Sequence, residues 1–169
     1  MGFADLHIHT THSWDGTSTV SVVIKKAASQ LRLDVIAITD HDEVTGSLEA
    51  LELAPSYGIE VIPGSEISTA EGHLLALFIW KNIPKRLSLI ETLLQIGEQG
   101  GIAIAAHPAK RAINSLAPEA IRAALQHPDA SRILVGIEVY NAGLFHRGIN
   151  DTAQRLALTL PVEIGRAHV

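Results

Sequence analysis

Short apolar runs alternate with longer stretches of helical periodicity along nearly the whole chain. The apolar runs predict strands at 3–9, 34–39, 59–67, 73–80, 102–107 and 134–141, with a seventh at 160–164. Helices are predicted at about 19–31, 44–57, 85–99, 117–126 and 144–159. Pro84 and Pro118 sit near helix starts, and Gly58 and Gly100-Gly101 follow helix ends. Strand–helix alternation with Val/Ile/Ala-rich strands predicts an α/β fold, a parallel sheet covered by helices. The link from 59–67 to 73–80 is too short for a helix, so those strands are expected to form a hairpin.

Composition narrows the picture. The 169 residues are 47% hydrophobic and 18% charged, enough for one packed domain. A net charge of -5 argues against a nucleic-acid-coating role, which needs a basic face. It leaves room for an enzyme of phosphate esters, because bound divalent cations reverse the local sign. No cysteine is present, so any metal must be held by nitrogen and oxygen, which suits Zn, Mn or Fe, with Mg also open. The chain opens without a basic-then-apolar leader, and its longest apolar run, Leu74 to Trp80, is far shorter than a membrane span. A cytoplasmic protein with neither a membrane nor an obligate protein partner is expected.

Candidate chemistry collects at the ends of the predicted strands. His7 and His9 are two apart on a strand, so both imidazoles emerge on one face, a good start for a metal site. Then come Asp15 in Ser13-Trp14-Asp15-Gly16, Thr39-Asp40-His41-Asp42, Glu66 after Pro63-Gly64-Ser65, His73, and Ala106-His107-Pro108. In a parallel barrel, strand ends converge on one rim. So many imidazoles and carboxylates there would be costly unless cations held them together. Asp40 is read as orienting an imidazole or protonating a leaving group, and Asp42 as capping the following helix. Lys110 and Arg111 are placed to grip a phosphate, with plain solvation as the alternative. Asn141 ends the sixth strand as a substrate or supporting residue, and His146 and Arg147 follow it. His12, Glu71 and His127 are read as surface residues, and Trp14 and Trp80 as packing.

In order, Asp5-Leu6-His7-Ile8-His9, Ser13-Trp14-Asp15-Gly16, Thr39-Asp40-His41, Pro63-Gly64-Ser65-Glu66-Ile67, Gly72-His73-Leu74-Leu75 and Ala106-His107-Pro108 resemble the successive motifs of the PHP (polymerase and histidinol phosphatase) domain. The resemblance covers about residues 3–162. It implies a distorted seven-stranded, TIM-like β/α barrel with up to three metals on its rim. It also implies that His7, His9 and Glu66 hold one metal, that Glu66, His73 and His107 hold a second, and that Asp15 and His41 hold a third. The family's late Asp-x-His motif is expected after Leu160-Pro161-Val162, where Glu163-Ile164-Gly165-Arg166-Ala167-His168 stands instead. A complete β/α barrel takes about 250 residues. The reading is therefore a partial domain over 1–163, lacking that motif. Residues 164–169 match the translation of a sequencing adapter and are read as a non-native tail.

The implied reaction is metal-assisted hydrolysis of phosphate esters of nucleotides or short oligonucleotides, phosphatase- or 5′→3′ exonuclease-like. An amidohydrolase barrel also opens with His-x-His, but Thr39-Asp40-His41 counts against it. A metal-binding module without turnover is the remaining alternative.

Overall fold

The apolar runs become strands, and the amphipathic stretches cover them. A computed structural model describes residues 2–108, 114–141, 147–160 and 163–167, with the backbone alone at 147–149 and 163–167. The strands are β1 (Ala4–Ile8), β2 (Val35–Ile38), β3 (Glu60–Ser68), β4 (His73–Leu77), β5 (Ile102–Ala105), β6 (Leu134–Asn141) and β7 (Glu163–Ala167). Spatial order follows chain order. The helices are α1 (Val20–Lys26), α2 (Thr45–Leu53), α3 (Leu89–Glu98), α4 (Pro118–Gln126), α5 (Ala130–Ile133) and α6 (Arg147–Ala157). Residues Ala27–Leu31 extend α1 as a π-turn, and Ala54–Ser56 extend α2 as a 3-10 turn.

Strands β1, β2 and β3 are parallel, as are β5, β6 and β7. β4 runs against both neighbours. The expected hairpin is therefore present, with Ser68 paired to His73 across its turn. The reversal matters for the rim: β4 begins at the end of the sheet where β1, β2 and β5 finish. The sheet curls until β1 and β6 face one another, and the His7 ring lies 2.9 Å from Glu138. Strands β1–β6 thus form a curled half-barrel, consistent with an incomplete β/α barrel, and the backbone of β7 lies beyond β6. Among the described residues no ladder joins β7 to β1.

Two apolar cores hold this shape. Val20, Ile24, Ile36, Ile38 and Ala50 pack α1 and α2 onto the first strands. Ile67, Leu74, Leu93, Ile96, Ile121 and Leu156 pack the later helices onto β3–β6. β4 is buried on both faces, which explains why it reads as continuous Leu and Ala.

Several boundaries depart from the sequence reading. α3 starts at Leu89 rather than 85, because Ser88 and Glu91 form a reciprocal capping box that outweighs the signal from Pro84. β4 stops at Leu77, where Phe78 takes φ 61°. α5 was not anticipated; its first backbone N–H groups include that of Ala130, which donates to the His127 ring at 3.2 Å. Asp42 does not cap α2. Its carboxylate accepts the Ser68 N–H at 2.7 Å, while Glu43 accepts the N–H groups of Val44 and Thr45. Glu71 is not merely solvated, since it accepts the Leu89 N–H at 2.8 Å and pins α3 to the β3–β4 turn.

The capping box gives a direct test. Ser88→Ala should cost about 1 kcal/mol, read as a lower urea midpoint with metal uptake unchanged.

Candidate metal centre

Glu66 is the hub. It lies near the end of β3 with only 1% of its surface exposed, and a bridge between His41 and Glu66 continues the β2–β3 pairing to the rim. Its Oε2 faces His7 Nε2 at 3.1 Å, His9 Nε2 at 2.9 Å and His41 Nδ1 at 3.4 Å. Its Oε1 faces His73 Nδ1 and His107 Nε2, each at 3.0 Å. Five imidazoles from four strands and their following loops thus share one carboxylate, divided oxygen by oxygen. The rings crowd one another, with His9 and His41 centroids 4.6 Å apart and His41 and His73 4.8 Å apart.

Asp15 completes this end of the rim. It sits in a tight turn, in which the Gly16 N–H donates to the Ser13 carbonyl at 3.2 Å. A Cβ at Gly16 would collide with the Thr10 backbone, so only glycine lets this turn press against the end of β1. Asp15 lies 3.0 Å from His9 Nδ1 and 3.4 Å from His41 Nε2. His9 therefore offers one nitrogen to Glu66 and the other to Asp15.

Burial tends to strip charge from all these groups, and their contacts decide where it stays. For His7, burial is outweighed by the Glu66 charge and the hydrogen bonds to Glu138 and Glu66, and its pKa rises to about 10. His9 is raised against burial, by its contact with Glu66. His41 is lowered by burial, with His9 and His73 adding repulsion. Burial opposes ionisation of Glu66, but the surrounding imidazoles hold it well below the usual carboxylate range. Asp15 is likewise lowered despite burial, by the Ser13 hydroxyl and His9.

These residues fit divalent cations. His9 Nε2 and His41 Nδ1 are buried without a hydrogen-bond partner, although both point at Glu66. Such orphaned donor atoms are what a cation satisfies. Donor atoms of His7, His9 and Glu66 lie within 4.8 Å of one another, as do those of His9, Asp15 and His41, and of His41, Glu66 and His73.

Three expected roles need correction. Asp40 makes no hydrogen bond to an imidazole among the described residues: it is fully buried, and its carboxylate accepts the Thr10 N–H at 2.6 Å and hydroxyl at 2.7 Å. A leaving group cannot reach it there, and it serves instead to lock the turn after β1. Gly46 in α2 leaves room for it, since a Cβ there would strike its carboxylate. Trp14 is not packed away; the residue is exposed. Asn141 is buried and donates to Glu138 at 3.2 Å, so it braces the site rather than facing a substrate. His12 pairs with Glu49 at 3.0 Å, away from the cluster. Lys110, Arg111 and His146 lie outside the described residues, as does the side chain of Arg147.

Sequence reasoning missed Glu138. This buried acid takes His7 Nδ1 at 2.9 Å and accepts the His107 backbone N–H at 2.8 Å. It thereby fixes one ring and also holds His107 at φ 30°, a strained backbone for a histidine. The signal was a lone acid inside the apolar strand Ile137-Glu138-Val139, which burial obliges to be paired.

Two outcomes follow. Glu138→Gln should weaken metal affinity by about 10- to 100-fold, measured by chelator competition, with the fold intact by circular dichroism. In the metal-free chain, the raised His7 pKa contributes stability that is whole below about 6.5 and is lost as pH climbs through about 10. The melting temperature of the chelated chain should fall across that window, and metal affinity should rise because the cation displaces the His7 proton.

Known proteins resemble this chain in sequence and in fold. The PHP domain family matches residues 5–100, a span holding six of the seven expected ligands and stopping short of His107. An uncharacterised protein of Methanocaldococcus jannaschii is 40% identical over 153 residues, covering 85% of this chain and 83% of its own. A 5′-3′ exoribonuclease of Haemophilus influenzae is 36% identical over 59% of this chain, which spans 37% of that enzyme. A phosphoribosyl 1,2-cyclic phosphate 1,2-diphosphodiesterase of Eggerthella lenta is 33% identical over 54% of this chain, which spans 36% of it. In fold, a Bifidobacterium adolescentis protein named as a candidate metal-dependent phosphoesterase superposes with TM-score 0.75 at 19% identity, covering 98% of this chain and 86% of its own. A Chromobacterium violaceum structure named an amidohydrolase, with bound sulfate, gives 0.74 at the same identity and the same coverage of both chains. The family match over more than half of the chain and the 40% identity to the Methanocaldococcus jannaschii protein show that the chain belongs to the PHP domain family.

Proposed function

We propose that this chain carries the metal centre of a phosphoesterase acting on phosphate esters of nucleotides or short oligonucleotides. The observation that carries this reading is the division of Glu66, with Oε2 turned to His7, His9 and His41 and Oε1 to His73 and His107. A carboxylate shared between two imidazole sets suits two adjacent cations, and such pairs stabilise both the attacking and leaving oxygens of phosphoryl displacement. His7 and His9 with Glu66 would hold one cation, His73 and His107 with Glu66 a second, and Asp15 with His41 a third. Zn, Mn or Fe suits this nitrogen–oxygen set, and Mg is the least suited. Bound there, the cations would supply Lewis acidity to a phosphoryl group and lower the pKa of water to about 7.

The chain's own residues set the geometry. Glu138 fixes the His7 ring, Asp15 fixes His9, and the Ser115 hydroxyl lies 3.3 Å from the His107 ring. Each imidazole so held presents its other nitrogen inward. Lys110 and Arg111 follow His107 closely in sequence and are proposed to bind substrate phosphate. No side-chain nucleophile is required, and cysteine is absent. The phosphodiesterase and exoribonuclease named among the relatives support phosphate esters over amides.

The chain loaded with Mn2+ or Zn2+ should release phosphate or nucleotides from 5′-nucleotides and short oligonucleotides, while amides and lactones stay intact. Glu66→Gln should lower that rate by more than about 100-fold. Amide hydrolysis outpacing ester hydrolysis would overturn the proposal, and stoichiometric metal with no turnover on any ester would favour a binding module.

A further inference from the structure

Trp14 is left in the open beside the most charged part of the molecule. The residue is 83% exposed, although sequence logic would bury it. One face of its ring lies against His41, with ring centroids 5.6 Å apart and planes within 13° of parallel. The ring is not there by default of a floppy loop. Ser13 donates its N–H to the Thr10 carbonyl at 2.9 Å, and Gly16 donates to Ser13 at 3.2 Å. Trp14 and Asp15 are therefore the two central residues of one pinned turn: Asp15 points to His9 and His41, and Trp14 lies over His41.

Beside the ring lies a cavity of about 330 Å3, bounded by Trp14, His41, Ser68, Glu71, His73 and Asn114 among others. That volume stands at the small end of ligand pockets, which run from about 300 to 1,000 Å3. It suits one planar group with its sugar and is too small for a longer chain. The two histidines in its wall, His41 and His73, belong to the Glu66 cluster, so whatever fills the cavity lies against that cluster. The remaining wall is polar, from Ser68, Glu71 and Asn114, which matches the heteroatom-rich edge of a base better than a plain phenyl ring.

Building on the phosphoesterase reading, we infer that this cavity seats the nucleobase adjoining the scissile phosphate, with Trp14 as its stacking platform. The platform selects nucleoside-borne phosphates over those carried by a bare sugar. Because every base has a π-face, stacking on Trp14 tolerates any base.

Fluorescence separates this inference from the reaction itself. The chain has two tryptophans, and Trp80→Phe leaves Trp14 as the sole reporter. In that metal-loaded variant, adenosine 5′-monophosphate mixed rapidly, before turnover, should quench the emission, and ribose 5-phosphate should not. In parallel, Trp14→Ala should lower the ratio of kcat/KM for adenosine 5′-monophosphate over ribose 5-phosphate by about 10-fold, chiefly through KM, and Trp14→Phe should restore most of it. Emission indifferent to the nucleotide, or a ratio unchanged in Trp14→Ala, overturns the base seat. Metal lost from Trp14→Ala with that ratio unchanged also overturns it, leaving Trp14 as a mere buttress of His41. If neither ester is hydrolysed, the phosphoesterase reading fails, and the emission change alone decides whether a base sits on Trp14.

Discussion

Burying Glu66 is the constraint around which this fold is organised. An ionised carboxylate removed from water is costly unless charge and hydrogen bonds meet it on every side. Here five imidazoles do so, drawn from β1, the β2 end, the start of β4 and the end of β5. Protons can supply the positive charge, as the raised His7 pKa indicates. Yet rings as close as 4.6 Å cannot all be protonated at little cost. Divalent cations resolve the conflict, since they bring the charge while leaving each imidazole neutral. The same repulsion that would loosen the metal-free rim is what suits the rim to divalent cations.

That hub needs a particular sheet. In an all-parallel sheet, a strand's first residue lies at the far end from the other strands' last residues. His73 is the first residue of β4 and still reaches Glu66, because β4 is reversed and the hairpin turn places it opposite Ser68. The curl of the sheet is equally necessary, for it brings β6 back to β1. Glu138 then ties His7, on the Oε2 side of Glu66, to His107, on the Oε1 side. A change at Glu138 is thus felt on both sides of the hub without its touching Glu66.

Much of this was legible in the chain. The alternation of strands and helices and the β3–β4 hairpin follow from periodicity and loop length, and the resemblance to the family's motifs singled out the residues from His7 to His107 that the fold gathers around Glu66 and Asp15. What escaped was pairing over long distances. Asp40 beside His41 looks like a partner for an imidazole, but the end of β1 places Thr10 nearer, and a buried carboxylate binds whichever donors reach it. Asp42 and Glu43 are adjacent acids before α2, and propensity alone does not choose between them. The φ of 56° at Asp42 turns its side chain to Ser68 and leaves the helix start to Glu43. Glu138 was visible as a charge inside an apolar strand, but its partners lie 131 and 31 positions away.

The exposed Trp14 and the buried Glu138 fail the same sequence rule in opposite directions. Hydrophobic side chains belong inside and charged ones outside, and a chain obeys this wherever nothing else is asked of it. Glu138 sits inside because the imidazole and backbone N–H that it holds repay its desolvation. Trp14 stays outside because its turn is fixed by Asp15 and by Gly16 against Thr10, so the ring cannot fold inward without dragging Asp15 from the histidines. Both inversions lie within one residue's reach of the metal centre, and neither is needed to hold the two apolar cores together. They are departures that stability alone does not explain, and they mark where the half-barrel gives up ordinary packing to arrange its chemistry.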